Sequence, residues 1–364
     1  MKTLAAVAFR PHEAMVVREV DLAPPQRGEV LVQIRATGLC HSDLHGLEGE
    51  MTSGIGFPGI PGHEGAGVVA EVGPGVIGLK PGDRVVAFPA ECRQCALCLS
   101  GRTGLCEEAF VDFAQTSRFR VDGVRAFPFQ GLGTFSQYTV VREICLAKVR
   151  DDAPFDQLSY LSCGVATGLG AAVFTAKVTP GARVIVFGMG GVGLNIVQGA
   201  RLCGAAQIVA VDVNPAKQAI ARKLGATDWV NPRESPDDVV GRLNELTRGG
   251  ADFTFEAVGN IDLMGQALKS ARIGWGVCTI VGMAPDGATL PVLPLDLVLG
   301  RRLQGSAMGG VKGRTQIPQI ADWMMQDRID VASLITAHLP LERINEGYDM
   351  MRRGEGVRTV VTFP

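Results

Sequence analysis

From about residue 165 the chain settles into a repeating pattern, a short apolar run followed by a longer stretch of helical character. RVIVFG precedes GVGLNIVQGARLCG, QIVAVD precedes PAKQAIARKLG, DFTFEAVG precedes MGQALKSA, and VCTIVGM closes the series. Short apolar runs without polar alternation suit strands buried on both faces. Alternating them with helices predicts a doubly wound parallel sheet covered on both sides. Residues 1 to about 160 read differently. They are rich in Gly and Pro, and EVLVQIRATG (29–38), GAGVVAEVG (65–73) and DRVVAF (83–88) predict short strands joined by turns, a mostly-β half. After about residue 305 a mixed texture returns, and the chain ends in the strand-like RTVVTF (358–363). The length of 364 residues implies two cores, because single cores stop growing near ~250–300 residues.

The first α/β crossover carries a phosphate-binding turn. RVIVF is followed by GMGGVG, which sets Gly188, Gly190 and Gly193 in G-x-G-x-x-G register between a strand and a helix. Glycines there permit a tight turn and let the backbone approach a pyrophosphate, while the helix N-terminus supplies free N–H donors. The next strand ends in QIVAVD. Its Asp212 can accept hydrogen bonds from both ribose hydroxyls and would repel a 2′-phosphate, and VNP follows without an Arg, so NAD(H) is expected over NADP(H).

Four of nine cysteines crowd into ECRQCALCLSGRTGLCEE, at Cys92, Cys95, Cys98 and Cys106. The spacing departs from a ferredoxin-type cluster, which needs a shorter last gap and a following Pro. Four thiolates on a short segment suit a closed tetrahedral zinc that folds the segment and performs no chemistry. A net charge of −2 gives no steering toward nucleic acid. The N-terminus lacks a signal-peptide core, and no apolar run of membrane-span length is evident. These features point to the cytoplasm, where thiols stay reduced and clustered cysteines bind metal.

Further ligand types are scattered through the first half, in GLCHSDLHG around residue 40 and PGHEGAGVVAEVGPGV around residue 63. Neither Cys40 nor His63 is informative alone. Together they make half a metal site.

GHEGAGVVAEVGPGV (62–76) matches the zinc alcohol dehydrogenase signature G-H-E-x2-G-x5-G-x2-V at every fixed position. The cysteine lobe, GMGGVG, TFSQYTVV (134–141), INEGYDMMRRGE (344–355) and the closing GVRTVVTF follow in that family's order. The chain therefore resembles the zinc-containing medium-chain alcohol dehydrogenases, in the longer-loop animal and plant branch. The resemblance implies an α/β plus β fold, a GroES-like mostly-β catalytic domain with an inserted Rossmann-fold domain. Its expected boundaries are 1–164 for the catalytic domain (zinc lobe about 91–107), 165–307 for the NAD-binding domain, and 308–364 for the return to the catalytic domain.

The resemblance also implies residue roles. Cys40, His63 and Cys163 (in LSCGVATG) match the ligands of a catalytic zinc with an open fourth position, and Cys92, Cys95, Cys98 and Cys106 match a second, structural zinc. Glu64 and Asp43 match carboxylates behind the ligands, Asp43 orienting the ligand His. Ser42 matches the hydroxyl that hydrogen-bonds the substrate oxygen, and His45 the imidazole that passes the proton onward. His41, Gly188, Gly190, Gly191, Val192, Gly193, Asp212, Lys217, Val258, Val281 and Arg358 match cofactor contacts, His41 and Arg358 at the pyrophosphate. Phe88 and Met51 match the substrate channel.

The implied activity is NAD-dependent interconversion of primary apolar or aromatic alcohols and aldehydes, by zinc-alkoxide formation and hydride transfer to nicotinamide. CEEAFVDFAQ (106–115) lacks the anion-binding Arg of the glutathione-linked formaldehyde branch, which weighs against, without removing, a thiol-adduct substrate. A dehydrogenase that never releases its NAD is a further alternative, and a non-catalytic zinc and NAD binder a remote one. Expected partners are a small alcohol or aldehyde and a second copy of the chain, with a tetramer as the variant. The apolar segment ATLPVLPLDLVLG (288–300) is the candidate for pairing edge strands.

Overall fold

The computed structural model describes residues 1–50, 56–110, 117–234 and 236–364. Two compact units make up the chain, one of Met1–Cys163, Lys312–Asp327 and Val331–Pro364, the other of Gly164–Val311 and Arg328–Asp330.

The first unit is built on a mixed sheet in the order Leu146–Lys148, Arg84–Ala87, Glu64–Val72, Glu29–Gly38, Arg358–Thr362 and Ile335–Leu339, with Tyr138–Arg142 also pairing with Glu29–Gly38. Period-two alternation sends neighbouring side chains of the long strand Glu29–Gly38 to opposite sides. Val30, Val32 and Ile34 join one core with Val69, Val85, Leu132, Phe135, Tyr348 and Val361. Leu31 instead joins a second core with Val7, Val20, Leu22, Phe119 and Val121, beneath the four-stranded sheet that begins at Lys2–Val7. Phe135 and Tyr348 meet edge to face with ring centres 6.2 Å apart, and burying each ring contributes about 2–3 kcal/mol.

Register in this sheet decides what meets at the end of the long strand. Gly38 pairs with Glu64 on one side and with Val360 on the other, so the strands bearing Glu64 and Arg358 flank the residue that leads into Leu39 and Cys40. A Cβ on Gly38 would lie 2.1 Å from Glu64 Oε2. Only glycine leaves room for that carboxylate to fold inward.

The second unit is a six-stranded parallel sheet in the order Asp228–Val230, Gln207–Val211, Arg183–Phe187, Phe253–Glu256, Val277–Ile280 and Arg302–Gly305. The order reverses direction at Arg183–Phe187, the topological switch point of a Rossmann fold. Helix Gly191–Leu202 starts at Gly190 and buries Leu194, Ile196, Val197 and Ala200. Gly193 is required by contact: a Cβ there would lie 1.7 Å from the Gly188 carbonyl oxygen.

Two expectations change. The 288–300 segment forms no strand; it holds the short helix Pro294–Val298, and the sheet edge is Arg302–Gly305 instead. The prolines at 291 and 294 remove the donors a strand ladder needs. The expectation of no membrane-length apolar run also fails, because helix Phe155–Ala176 is long and apolar enough by length and composition. Its apolar window is 72% buried inside the protein, as befits a core helix.

Candidate functional site

Side chains from three elements converge in the first unit. Cys40 follows the strand Glu29–Gly38 and caps the short helix His41–Leu47. His63 sits immediately before the strand Glu64–Val72, and Cys163 lies one turn beyond the helix Phe155–Tyr160. Donor atoms of Cys40, His63, Glu64 and Cys163 all lie within 4.8 Å of one another, and the two sulfurs are 4.0 Å apart. Ser162, beside Cys163, donates its hydroxyl to the His63 carbonyl at 3.3 Å, tying two of these segments together.

The imidazole is set from behind. Asp43 is fully buried, and its Oδ1 accepts the Gly62 N–H at 2.8 Å while Oδ2 lies 3.0 Å from His63 Nδ1. His63 Nε2 is buried without a hydrogen-bond partner. Burial pulls the imidazole pKa down, yet the charges of Asp43 and Cys40 outweigh it and the net direction is upward. The Cys163 thiol, together with His63 and Arg358, holds Cys40 well below the usual thiol range against the opposing effect of burial. Two thiols and an orphaned imidazole nitrogen, buried within reach of one point, fit a tetrahedral zinc with one position left for a small ligand.

Glu64 stands just behind this cluster. Burial raises its carboxyl to about 8, and the neighbouring Arg358 charge resists that rise. Arg358 Nη1 lies 3.2 Å from Glu64 Oε2 and also donates to the Leu39 carbonyl. The guanidinium carbon sits 4.2 Å from the centre of the Tyr160 ring. Arg358 is therefore 7% exposed and engaged within its own unit, in contacts that its expected place at a pyrophosphate did not anticipate. Tyr160 is buried, and burial pushes its phenol to about 12.

Of the expected proton relay, Ser42 Oγ lies 3.7 Å from Cys40 Sγ. His45 has a 40% exposed side chain, and its Nδ1 lies 2.6 Å from Glu50 Oε2. His41 is exposed on the same helix. Phe88 is 2% exposed, with its ring close against Gly313. Met51 lies outside the described residues, as does 111–115 of the CEEAFVDFAQ stretch. Within that stretch Glu108 is paired with Arg142 at 2.8 Å.

Cys92, Cys95, Cys98 and Cys106 also bring their sulfurs within 4.8 Å of one another. Backbone N–H groups turn onto them: Cys92 N onto Cys106 Sγ at 3.2 Å, Cys95 N onto Cys92 Sγ at 3.3 Å and Cys98 N onto Cys95 Sγ at 3.4 Å. Cys95 is drawn down to about 7, chiefly by the Glu107 backbone N–H. The knuckle has almost no core of its own, only these cysteines and Ala109, which is the circumstance in which a closed metal site contributes folding energy.

In the second unit Gly188 has φ +91° and passes its N–H to the Val211 carbonyl. A Cβ on Gly190 would meet nothing within 4 Å, so the turn leaves open space at the helix N-terminus, of the kind a pyrophosphate fills. Gly191, Val192 and Gly193 form the first turn. The Asp212 carboxylate is fixed at the end of the second strand, taking the Met189 N–H at 2.6 Å and the Asn214 N–H at 2.7 Å, with lone pairs left over. Lys217 is half-buried nearby in sequence, Val258 is 53% exposed, and Val281 is half-buried. This arrangement fits the adenosine and pyrophosphate of NAD.

Sequence reasoning missed Tyr160, Glu50, Glu256 and Glu91. Glu256 is fully buried and accepts the Val258, Gly259 and Asn260 N–H groups, shaping the loop that carries Val258. Its place at the end of DFTFE was the available signal. Nothing local marks Tyr160.

Comparison with known proteins agrees with this geometry. Residues 26–151 match the alcohol dehydrogenase GroES-like domain family, and residues 191–326 match the zinc-binding dehydrogenase family. The chain is 48% identical, over 100% of both chains, to alcohol dehydrogenase class-3 of Cereibacter sphaeroides, and equally so to S-(hydroxymethyl)glutathione dehydrogenase of Paracoccus denitrificans. Among solved structures, an alcohol dehydrogenase zinc-binding domain protein from Burkholderia ambifaria superposes with a TM-score of 0.95 at 32% identity, covering 100% of this chain and 99% of that one. Benzyl alcohol dehydrogenase from Acinetobacter calcoaceticus gives 0.92 at 29% identity, covering 100% of both. With a GroES-like unit, a Rossmann unit and full-length likeness to such relatives, the chain belongs to the zinc-containing medium-chain alcohol dehydrogenases, oxidoreductases that work with zinc and NAD.

Proposed function

We propose that this dehydrogenase oxidises the hydroxymethyl carbon of a thiol–formaldehyde adduct of the S-(hydroxymethyl)glutathione kind. The observation that carries the reading is full-length identity of 44–48% to relatives bearing that name. It replaces the expectation of an apolar or aromatic alcohol as the leading substrate. Glu107 and Glu108, which follow the fourth lobe cysteine, would repel the carboxylates of such an adduct, but Glu108 is already paired with Arg142.

Cys40 Sγ, His63 Nε2 and Cys163 Sγ would hold the catalytic zinc, and Cys92, Cys95, Cys98 and Cys106 the structural one. When bound, zinc supplies a Lewis acid that makes a substrate hydroxyl acidic near neutral pH, and NAD supplies the hydride acceptor. Asp43, against His63 Nδ1, keeps that nitrogen protonated so that Nε2 offers its lone pair. Ser42 accepts the proton leaving the substrate hydroxyl as it gives up its own, and His45 carries that proton toward water, its other nitrogen steadied by Glu50. Asp212 receives the adenosine ribose hydroxyls with Lys217 beside it, and Gly188, Gly190, Gly191, Val192 and Gly193 cradle the pyrophosphate. Val258 and Val281 line the nicotinamide, and Phe88 the substrate. A homodimer is in keeping with the open sheet edge at Arg302–Gly305 and the exposed Leu293, Leu295 and Val298 before it. A cytoplasmic setting is in keeping with nine free cysteines.

A second reading, oxidation of uncharged primary or benzylic alcohols, draws on the acidic Glu107 beside the fourth lobe cysteine and on the likeness to benzyl alcohol dehydrogenase. Steady-state kinetics with S-(hydroxymethyl)glutathione, benzyl alcohol and short primary alcohols, each with NAD and NADP, decides between them. The leading reading expects kcat/KM with the adduct at least about 10-fold above benzyl alcohol, about 1.4 kcal/mol of transition-state preference. The reverse order establishes the second reading instead.

A further inference from the structure

We propose that Tyr160 and Arg358 form a buried positioning unit that sets the spacing of the three segments carrying Cys40, His63 and Cys163. The inference rests on the reading of those three residues as zinc ligands.

Arg358 touches each segment one step away from its ligand. It donates to the carbonyl of Leu39, the residue before Cys40. It pairs at 3.2 Å with Glu64, the residue after His63. It lies over the ring of Tyr160, one helical turn before Cys163, at 4.2 Å. No other side chain described near the cluster reaches all three. Glu64 and Tyr160 are fully buried and Arg358 is 7% exposed, so these contacts act with little solvent screening.

Chemistry explains why the unit is needed. Two sulfurs, an imidazole and a carboxyl group crowd one buried volume, and the segments that carry them come from distant parts of the chain. A guanidinium is the one side chain that remains charged when buried and offers several donors in a rigid fork. Left on its own among apolar groups it would be mobile about its stem. The Tyr160 ring supplies a flat face of negative potential against which the guanidinium plane can rest, fixing its distance from Leu39 and Glu64. Because Tyr160 and Cys163 belong to one helical stretch, a shift of the guanidinium is also a shift of the Cys163 sulfur relative to Cys40.

The test uses the fully zinc-loaded protein and the variants Tyr160→Leu, Tyr160→Phe and Arg358→Lys. Release of each zinc is timed with a chromophoric chelator, thiol-rich knuckle and cluster being told apart by their separate phases, and the cobalt-substituted proteins are compared by their visible absorption bands. Wild-type protein is expected to hold two zincs; a single zinc confined to the knuckle removes the ligand reading itself. Given two, Tyr160→Leu is expected to release the cluster zinc at least about 10-fold faster with an altered cobalt spectrum, while knuckle release stays near wild type. Tyr160→Phe, which keeps the ring, restores slow release. If Tyr160→Leu does not fold, Arg358→Lys carries the same expectation, since a point charge cannot replace the fork. Cluster release at the wild-type rate, or equal acceleration at both sites, overturns the proposal.

Discussion

Asp43 Oδ2 lies 3.0 Å from His63 Nδ1 with both side chains buried, and Asp43 Oδ1 accepts the Gly62 N–H from the same loop. One carboxylate thus fixes both the imidazole and the backbone entering it. Such partners typically contribute 10–100-fold to metal affinity. Asp43→Asn keeps the shape and removes the charge, so competition with a chelator is expected to show the cluster zinc bound at least about 10-fold more weakly, with the four-cysteine zinc unaffected. Equal affinity in the two proteins contradicts the assignment.

The two inner glycines of the turn make opposite predictions. Gly193→Ala drives a Cβ into the Gly188 carbonyl, so helix and strand must separate. A loss of about 1–3 kcal/mol is expected, seen as a lower melting temperature without cofactor, together with poor NAD binding. Gly190→Ala meets nothing in the protein itself. Its melting temperature without NAD is expected to stay near wild type while NAD affinity falls. A large loss of stability in Gly190→Ala shows that the open space is not there.

Glu91 secures the cysteine knuckle to the rest of its unit. Its carboxylate accepts the Thr103 hydroxyl, within the knuckle, and the Gly313 N–H at the start of helix Gly313–Met325. Glu91→Ala strands a buried donor at a cost of about 1–3 kcal/mol. Limited proteolysis is expected to cut first within residues 92–106, and protection equal to wild type counts against the anchor.

Asp83 supplies an acid-dependent increment of stability. Burial raises its pKa, but the Lys148 ammonium at 2.7 Å and the Lys80 N–H more than offset that, and the net direction is downward. A depressed carboxyl stabilises the fold above its unfolded value of about 3.9, and the contribution disappears as pH falls through the lower folded value. Asp83→Asn is expected to melt below wild type at pH 7, by an amount worth about 1 kcal/mol because Lys148 is half exposed. The gap closes as pH drops below about 4. A gap that is constant with pH refutes the ionic account.

The cysteine spacing, the glycine turn, GHE and the strand–helix alternation were legible in the sequence because each is local: turns, first helical turns and β-periodicity are settled within a dozen residues. They sufficed for the α/β plus β fold class and carried the family resemblance that in turn named Cys40, His63 and Cys163. The 288–300 segment was misread for a related reason, since apolar character is visible along the chain but the ladder that makes a strand lies in another strand, here Val277–Ile280 paired with Arg302–Gly305. The partnership of Arg358 with Glu64 and Tyr160 was beyond sequence reasoning altogether. It exists because the register of three strands around Gly38 places distant side chains in one buried space, where a charge must find its counter-charge or not be buried at all.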